Sequence, residues 1–264
     1  FFAEFLDDTL TYSCGIFEHP EASLREASIA KYERICQKLE LRPCDHVIEI
    51  GSGWGGFALY AAGRYGCRGT TTTISRAQHA LATERVAAAG LADRITILRR
   101  DYRDLTGTYD KLVSIEMIEA VGHRFYGTFF RKCAELLRPG GRMALQAITI
   151  DPQFYHRARR EVDFIKRYIF PGANIPSLPV LRRAAETRTR LSLLHLEDLT
   201  PHYAETLKRW RQNFTARWDR LRTLGFSEEF RRLWQFYFCY CEGGFRERFL
   251  GDVQIVFQRD PAAV

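Results

Sequence analysis

No run of about 18 consecutive apolar residues occurs in this 264-residue sequence, so a membrane-spanning helix is not expected. Nothing at its start has the charged-then-apolar pattern and small-residue cleavage site of a secretory leader, which points to a soluble, cytoplasmic protein. The sequence opens on Phe1 rather than Met, and FFAEFLDDTLTYSC reads as mid-protein helix and loop, so the natural chain is expected to extend further at its N-terminus. A disulfide framework or zinc site lacks its raw material: the seven cysteines are odd in number and never form a CxxC pair, which predicts reduced thiols and no metal. Internal repeats and low-complexity linkers are missing as well. What remains is one enlarged domain, since 264 residues at 46% hydrophobic content can bury a substantial single core.

Charge is unevenly supplied. Lys and Arg number 39 against 32 Asp and Glu, a net +7, and much of the excess follows residue 155 in HRARRE, LRRAAETRTR, LKRWRQ and FRRLW. A basic face can be a solvated helix surface, a patch for anionic phospholipid headgroups or a nucleic-acid surface, because charge alone attracts any polyanion. An aromatic content of 13% favours lipid, so peripheral contact with an anionic membrane is expected and nucleic acid is not.

Between Ser23 and Leu41, apolar residues recur at helical spacing (Ile29, Tyr32, Ile35, Leu39) and stop before Pro43, predicting a helix that leads into a strand. The run HVIEIGSGWGGFALYAAGRYG then supplies a short β-branched strand, a glycine-rich turn and an amphipathic helix, the first βα unit of a doubly wound sheet. Alternation predicts further strands near 68–73, 95–99, 111–115, 142–149, 190–199 and 252–258, and helices near 76–89, 124–136, 178–187, 202–223 and 227–247. This pitch implies an α/β fold with a mainly parallel seven-stranded sheet closed by a final hairpin pair. Residues 1–40 read as an N-terminal helical lid. The aromatic-rich segments 151–190 and 199–248 read as a cap over the site, although ordinary helical packing accounts for most of their rings.

The sharpest local signal is Glu49-Ile50-Gly51-Ser52-Gly53-Trp54-Gly55-Gly56, placed between a predicted strand and helix. Glycines there let the backbone turn sharply and approach a ligand closely. A dinucleotide site has similar glycines, but Glu49 at the end of the strand suits the ammonium of a methionine moiety and would repel a pyrophosphate. The second strand ends in Thr73-Ile74-Ser75 and then Gln78, hydroxyl and amide groups that can bind a ribose. Asp101 and Tyr102 follow the third strand, where a carboxylate can accept from an adenine amino group and an aromatic can cover the ring. Asp101 can equally be a helix N-cap. The ensemble points to S-adenosylmethionine.

At these residues the sequence resembles the cyclopropane-fatty-acid synthase family, including the mycolic acid cyclopropane synthases. The resemblance runs from about Thr11 to Phe257 through TYSCGIF, IEIGSGWGGFALYAA, TISRAQ, DYRD, VSIEMIEAVG, LRPGG, IFPGANIPS, PHYAETLKRW and CEGGFR. It implies a Rossmann-like class I methyltransferase fold, a sulfonium methyl donor, and as substrate the double bond of an unsaturated phospholipid acyl chain, converted to a cyclopropane. A homodimer is a further expected association. By resemblance, Tyr12 and Ser13 close over the cofactor, Gly51 and Gly53 form its turn, Thr73 and Gln78 contact ribose, and Tyr102 lies beside adenine. Cys14, Glu119, Ile148 and Tyr203 match a pocket that holds bicarbonate in the family, and Cys241 matches a cysteine nearby. Two positions depart from the pattern: Gln146 stands in place of a histidine and Glu116 in place of a glycine.

The implied chemistry gives those departures meaning. An alkene is a weak nucleophile and must be held in line with the methyl group in a dry pocket. The resulting carbocation can be stabilised by aromatic faces and carboxylates, with Tyr203, Tyr12 and the rings of 232–245 as candidates. It then loses a proton, and which proton leaves decides the product: loss from the new methyl group closes a cyclopropane, whereas a hydride shift and loss elsewhere give a methylene or, after reduction, a methyl-branched chain. A glutamine can hydrogen-bond an anion but cannot shuttle a proton, so Gln146 alters the bicarbonate site. Glu116, three residues before Glu119 and potentially on the same helical face, is a candidate direct base; it can alternatively face solvent or cap a helix. His123, His195 and His202 read as surface or core residues. A reading of another class, a lipid carrier that binds cofactor without turnover, also fits.

Overall fold

Ser23 starts the first long helix, α1 (Leu24–Leu39), with a capping box: its hydroxyl accepts from the Glu26 amide while the Glu26 carboxylate accepts from the Ser23 amide. The structure is a computed structural model that describes residues 1–187 and 189–261; Arg188 of the run LRRAAETRTR and residues 262–264 lie outside it. One face of α1 is buried through Ala27, Lys31, Ile35, Cys36 and Leu39, and the helix ends at Glu40 in a left-handed conformation ahead of Pro43.

Strand β1 (His46–Ile50) and helix α2 (Gly56–Tyr65) follow, then β2 (Arg68–Thr72), α3 (Arg76–Ala88), β3 (Ile95–Leu98), β4 (Tyr109–Ile115), α4 (Tyr126–Leu136) and β5 (Leu137–Ile150). Beyond them come α5 (Pro152–Ala158), a π-helical turn at Ile165–Ile169, α6 (Leu178–Glu186) and β6 (Leu191–Asp198). Helices α7 (Thr200–Ala216), α8 (Trp218–Thr223) and α9 (Glu228–Arg246) separate β6 from β7 (Leu250–Arg259). The strands form one seven-stranded sheet in the order β3-β2-β1-β4-β5-β7-β6. Every pairing is parallel except those of β7, which runs antiparallel to both β5 and β6. The expected α/β, Rossmann-like architecture is therefore present. Its closing pair is antiparallel as expected, but the two strands are neighbours across three helices rather than a tight hairpin.

Strand order reverses between β1 and β4, so the loops after these strands diverge and leave a crevice above their C-terminal ends. Helices α4 and α6 cover one sheet face through Phe129, Phe130 and Leu181. The other face is covered by α1 and α2, with Ile35 and Phe57 packed on Val47 and Val113. Helices α7 and α9 build a separate aromatic core in which Trp210, Phe214 and Phe238 enclose Phe5 from the opening segment.

Three expected boundaries shift. Residues 1–40 are not one helical lid: the opening segment is a 3-10 turn at Phe2–Glu4 and extended chain packed into the α7/α9 core, whereas α1 lies on the sheet. Helix α6 falls inside the expected cap segment, yet Leu181 and Ala185 are fully buried in the core shared with α4. The helix expected at 202–223 is broken at Arg217 into α7 and α8.

Candidate active site

A cavity of about 590 Å³ opens in the crevice above β1 and β4. Tyr12, Ser13, Glu49, Gly51 and Gly53 line it from the opening segment and the β1 turn, and Thr73, Gln78, Asp101 and Tyr102 line it from the loops after β2 and β3. Gly51 has φ +99, and a Cβ there would stand 3.0 Å from the Met117 side chain, so both backbone and space require glycine. Glu49 is only 4% exposed, and its Oε2 has no hydrogen-bond partner. Burial pushes its carboxyl up to about 7, against the pull of Lys31. An orphaned, buried acid beside a left-handed glycine turn fits the ammonium of a methionine moiety.

The far end of the cavity is also polar. The Thr73 hydroxyl donates to Gln78 Oε1 at 2.7 Å. Asp101 fulfils the capping alternative: it accepts from the Arg103 amide at 2.9 Å and is clamped by the Arg103 guanidinium, which holds its carboxyl below the ordinary range. It remains on the cavity wall while doing so. Ser75 does not reach the cavity; its hydroxyl accepts from the Gln78 amide and caps α3. A serine immediately before a helical run is a capping position, which is the stronger local demand here.

Behind the cavity lies a closed polar cluster centred on Glu116, which also belongs to the cavity wall. Glu116 Oε1 accepts from the Cys14 amide and from Gln146 Nε2, both at 2.8 Å, and Oε2 accepts from the Tyr203 hydroxyl at 2.6 Å. It does not cap a helix, and it is half-buried on the cavity wall rather than on the outer surface. Nor does it share a helical face with Glu119: Glu116 has φ +46 in the turn leaving β4, and Glu119 sits in the 3-10 turn Ile118–Ala120. A left-handed glutamate is strained by roughly 1–3 kcal/mol and persists because its surroundings fix it. Glu119 Oε1 accepts from the Ile148 amide at 2.6 Å, while its Oε2 is buried without a partner. Burial, then the charge of Glu116, push the Glu119 carboxyl up to about 8. Cys14 and Tyr203 are buried in the same cluster, and Tyr203 stacks on Phe245 with centroids 4.3 Å apart. Tyr12 joins it from the cavity, its hydroxyl 2.9 Å from that of Tyr237.

Two members of this site are not among the residues expected from the sequence. Asp252 is fully buried on β7, accepts from Gln146 Nε2 at 3.0 Å and leaves Oδ1 unpartnered. Lys31 is fully buried on α1 and donates to the Ser13 hydroxyl at 2.5 Å. Each left a trace in the sequence: Lys31 interrupts the apolar stripe of α1, and Asp252 alternates with Gln254 among apolar strand residues. Cys241 is only partly buried and packs at the margin of the aromatic core.

A buried acid ending β1, a left-handed glycine turn and a crevice in a sheet of this order together define the fold class of the S-adenosylmethionine-dependent methyltransferases. Residues 1–255 match the family model described as mycolic acid cyclopropane synthetase, and the chain belongs to that family. It is 41% identical over 98% of its length to the tuberculostearic acid methyltransferase UfaA1 of Mycobacterium tuberculosis, of which it covers 62%. It is 34% identical over 98% of its length to the cyclopropane-fatty-acyl-phospholipid synthase of Escherichia coli, of which it covers 64%. The chain thus spans somewhat under two thirds of these curated relatives. A solved structure of mycolic acid cyclopropane synthase CmaA1 complexed with SAH and CTAB superposes with a TM-score of 0.91 and 31% identity, covering 97% of this chain and 93% of that one.

Proposed function

We propose that this chain methylates the double bond of an unsaturated phospholipid acyl chain, and that Glu116 is the base that takes the proton released. The observation that carries the reading is Glu116 itself: one carboxylate that belongs both to the wall of the cofactor-sized cavity and to the buried cluster behind it. When bound, S-adenosylmethionine supplies an electrophilic methyl group whose transfer to the alkene leaves a carbocation on the acyl chain and a neutral thioether. Glu49 receives the ammonium of that cofactor, Gly51 and Gly53 let the backbone approach it, Thr73 and Gln78 offer ribose partners, and Tyr102 offers a face to adenine.

The residues of the cluster then divide the work. The rings of Tyr203 and Tyr12 present π-faces to the cation. Oε1 of Glu116 is filled by two donors, whereas Oε2 has only the Tyr203 hydroxyl, so Oε2 holds the lone pair that accepts the proton. The C–H electron pair left behind closes the new bond. Loss from the transferred methyl closes a cyclopropane ring; loss after a hydride shift gives a methylene branch. Because the carboxylate occupies the centre of the cluster, no separate bicarbonate is required.

Ring closure is the reading carried from the sequence. A methylene product, which a separate reductase using a hydride donor would convert to a methyl branch, is favoured by one observation, the 41% identity to a relative named as a methyltransferase rather than a cyclopropane synthase. Labelled S-adenosylmethionine and monounsaturated phospholipid vesicles, followed by mass spectrometry and proton NMR of the lipids, separate the two. One added carbon with ring-methylene signals marks the cyclopropane, and olefinic methylene signals mark the branch. Lipid bound with no demethylated cofactor formed would turn the chain into a carrier and end the proposal.

Delivery of such a lipid fits the surface around the cap. Phe125, Tyr168 and Phe170 are exposed there, and Arg124, Arg159 and Lys166 lie close enough together to depress the basicity of His123, after its burial. No carboxylate pairs with Arg124 or Arg159 among the described residues. Exposed rings beside unpaired cations suit the interface of an anionic bilayer. Among the described residues no helix is long and apolar enough to cross a membrane.

A further inference from the structure

We propose that Lys31, which does not line the cavity, is a positioning residue whose ammonium keeps Glu116 anionic while its neighbours Glu119 and Asp252 carry protons. The inference rests on the reading of Glu116 as the base and assigns the origin of its charge. Three carboxylates, Glu116, Glu119 and Asp252, interact with one another, Gln146 Nε2 bridging Glu116 Oε1 and Asp252 Oδ2 at 2.8 and 3.0 Å, and ionising all three together is costly. Donors distinguish them. Glu116 receives three hydrogen bonds, whereas Glu119 receives one, Asp252 accepts from the Gln146 amide, and each of the latter two leaves an oxygen without a partner.

Counter-charge distinguishes them further. Lys31 is fully buried in the middle of α1, and its Nζ donates to Ser13 Oγ at 2.5 Å. The next residue, Cys14, gives its amide to Glu116 Oε1, so one short segment is tied to the lysine on one side and to the base on the other. The groups around Lys31 are Asp7 and Cys14 of the opening segment, Glu116 after β4, Asp252 on β7, Glu49 on β1, and the Tyr32 ring 4.9 Å from Nζ. Around Glu116 stand Lys31, Tyr203, Cys14 and Gln146 with the two acids, and Lys31 is the cation opposing the burial that drives its carboxyl toward the neutral form. The only other buried lysine among the described residues, Lys111, is committed elsewhere, to the Leu39 carbonyl.

The test combines turnover with two readouts independent of it. In Lys31→Met at saturating S-adenosylmethionine, the acid limb of the kcat–pH profile should move to higher pH by roughly one to three units, the range of a nearby opposite charge; Lys31→Arg should restore the limb. The infrared band of protonated carboxylic acid at neutral pH should grow in Lys31→Met, and that increment should be missing in the Lys31→Met/Glu116→Gln double variant. In the wild type, which avoids any folding defect, nitrogen-detected NMR should show the Lys31 side chain, assigned by the loss of its signal in Lys31→Met, still an ammonium at neutral pH. A neutral Lys31 amine, or a variant with lowered Tm but an unmoved acid limb and carboxyl band, overturns the assignment of Lys31. Full turnover by Glu116→Gln alone overturns instead the reading beneath it.

Discussion

Glu116 combines two features that proteins avoid, a carboxylate half-buried among protein groups and a left-handed backbone on a residue with a side chain. Both are tolerated because Cys14, Gln146 and Tyr203 converge on it. Glu116→Gln preserves shape and removes the basic lone pair, so turnover should fall by roughly 10²- to 10⁴-fold while calorimetric affinity for S-adenosylmethionine stays within about threefold. Affinity falling as far as turnover would place the residue in cofactor binding instead. Glu119 gives a prediction on stability. Its carboxyl lies at about 8 when folded against an ordinary value of 4.5, so the folded state holds the proton between those limits and the chain loses stability as pH rises through that window. Glu119→Gln cannot ionise, so its Tm relative to the wild type should climb from about pH 4.5 to 8 and then level off; a constant difference across that range refutes the burial argument. The chemical type of Glu49, Glu116 and Glu119 was legible in the sequence, but their relation was not. The spacing of Glu116 and Glu119 suggests one helical face, and only the turn at φ +46 shows that a backbone reversal brings them together.

The turn from β1 into α2 shapes the wall of the crevice where we propose the cofactor binds. Gly51→Ala would force a left-handed alanine against Met117, so the chain should lose about 1 kcal/mol or more of stability in urea denaturation, and S-adenosylmethionine should bind at least tenfold more weakly. An alanine variant with wild-type affinity would show that the backbone does not need to approach the ligand closely. Such βα units are readable because period, glycine and strand chemistry agree, and every strand from β1 to β7 stands within a few residues of where alternation places it. Reading fails where two apolar surfaces compete for one helix. The stripe of α6 carries Leu181 and Ala185, and nothing in that stripe says whether it faces α4 or a cap; the partner is chosen by tertiary packing. The break at Arg217 has no sequence signal that we can identify.

The molecule as a whole divides into a doubly wound sheet and an aromatic annex built from α7, α9 and the opening segment. Composition announced the annex, since Trp, Phe and Tyr crowd residues 199–248, but Phe1, Phe2 and Phe5 join it from the opposite end of the chain, a long-range contact no local pattern encodes. The basic, ring-bearing surface near Arg124 and Arg159 predicts salt-sensitive binding to anionic vesicles. Each cation near such a surface contributes about 1 kcal/mol, so Arg124→Glu/Arg159→Glu should weaken sedimentation with phosphatidylglycerol vesicles by roughly tenfold or more, without affecting neutral vesicles or cofactor affinity. Equal binding by the double variant would locate the membrane face elsewhere.

The left-handed bend that carries Glu116 has a consequence for the medium in which such an enzyme works. A base welded to the polypeptide is present at one equivalent per active site whatever gas is dissolved in the buffer. With Glu116 as the base we propose, turnover should therefore continue at an unchanged rate in solution stripped of carbon dioxide, and a rate that falls on stripping would return the role to a dissolved anion.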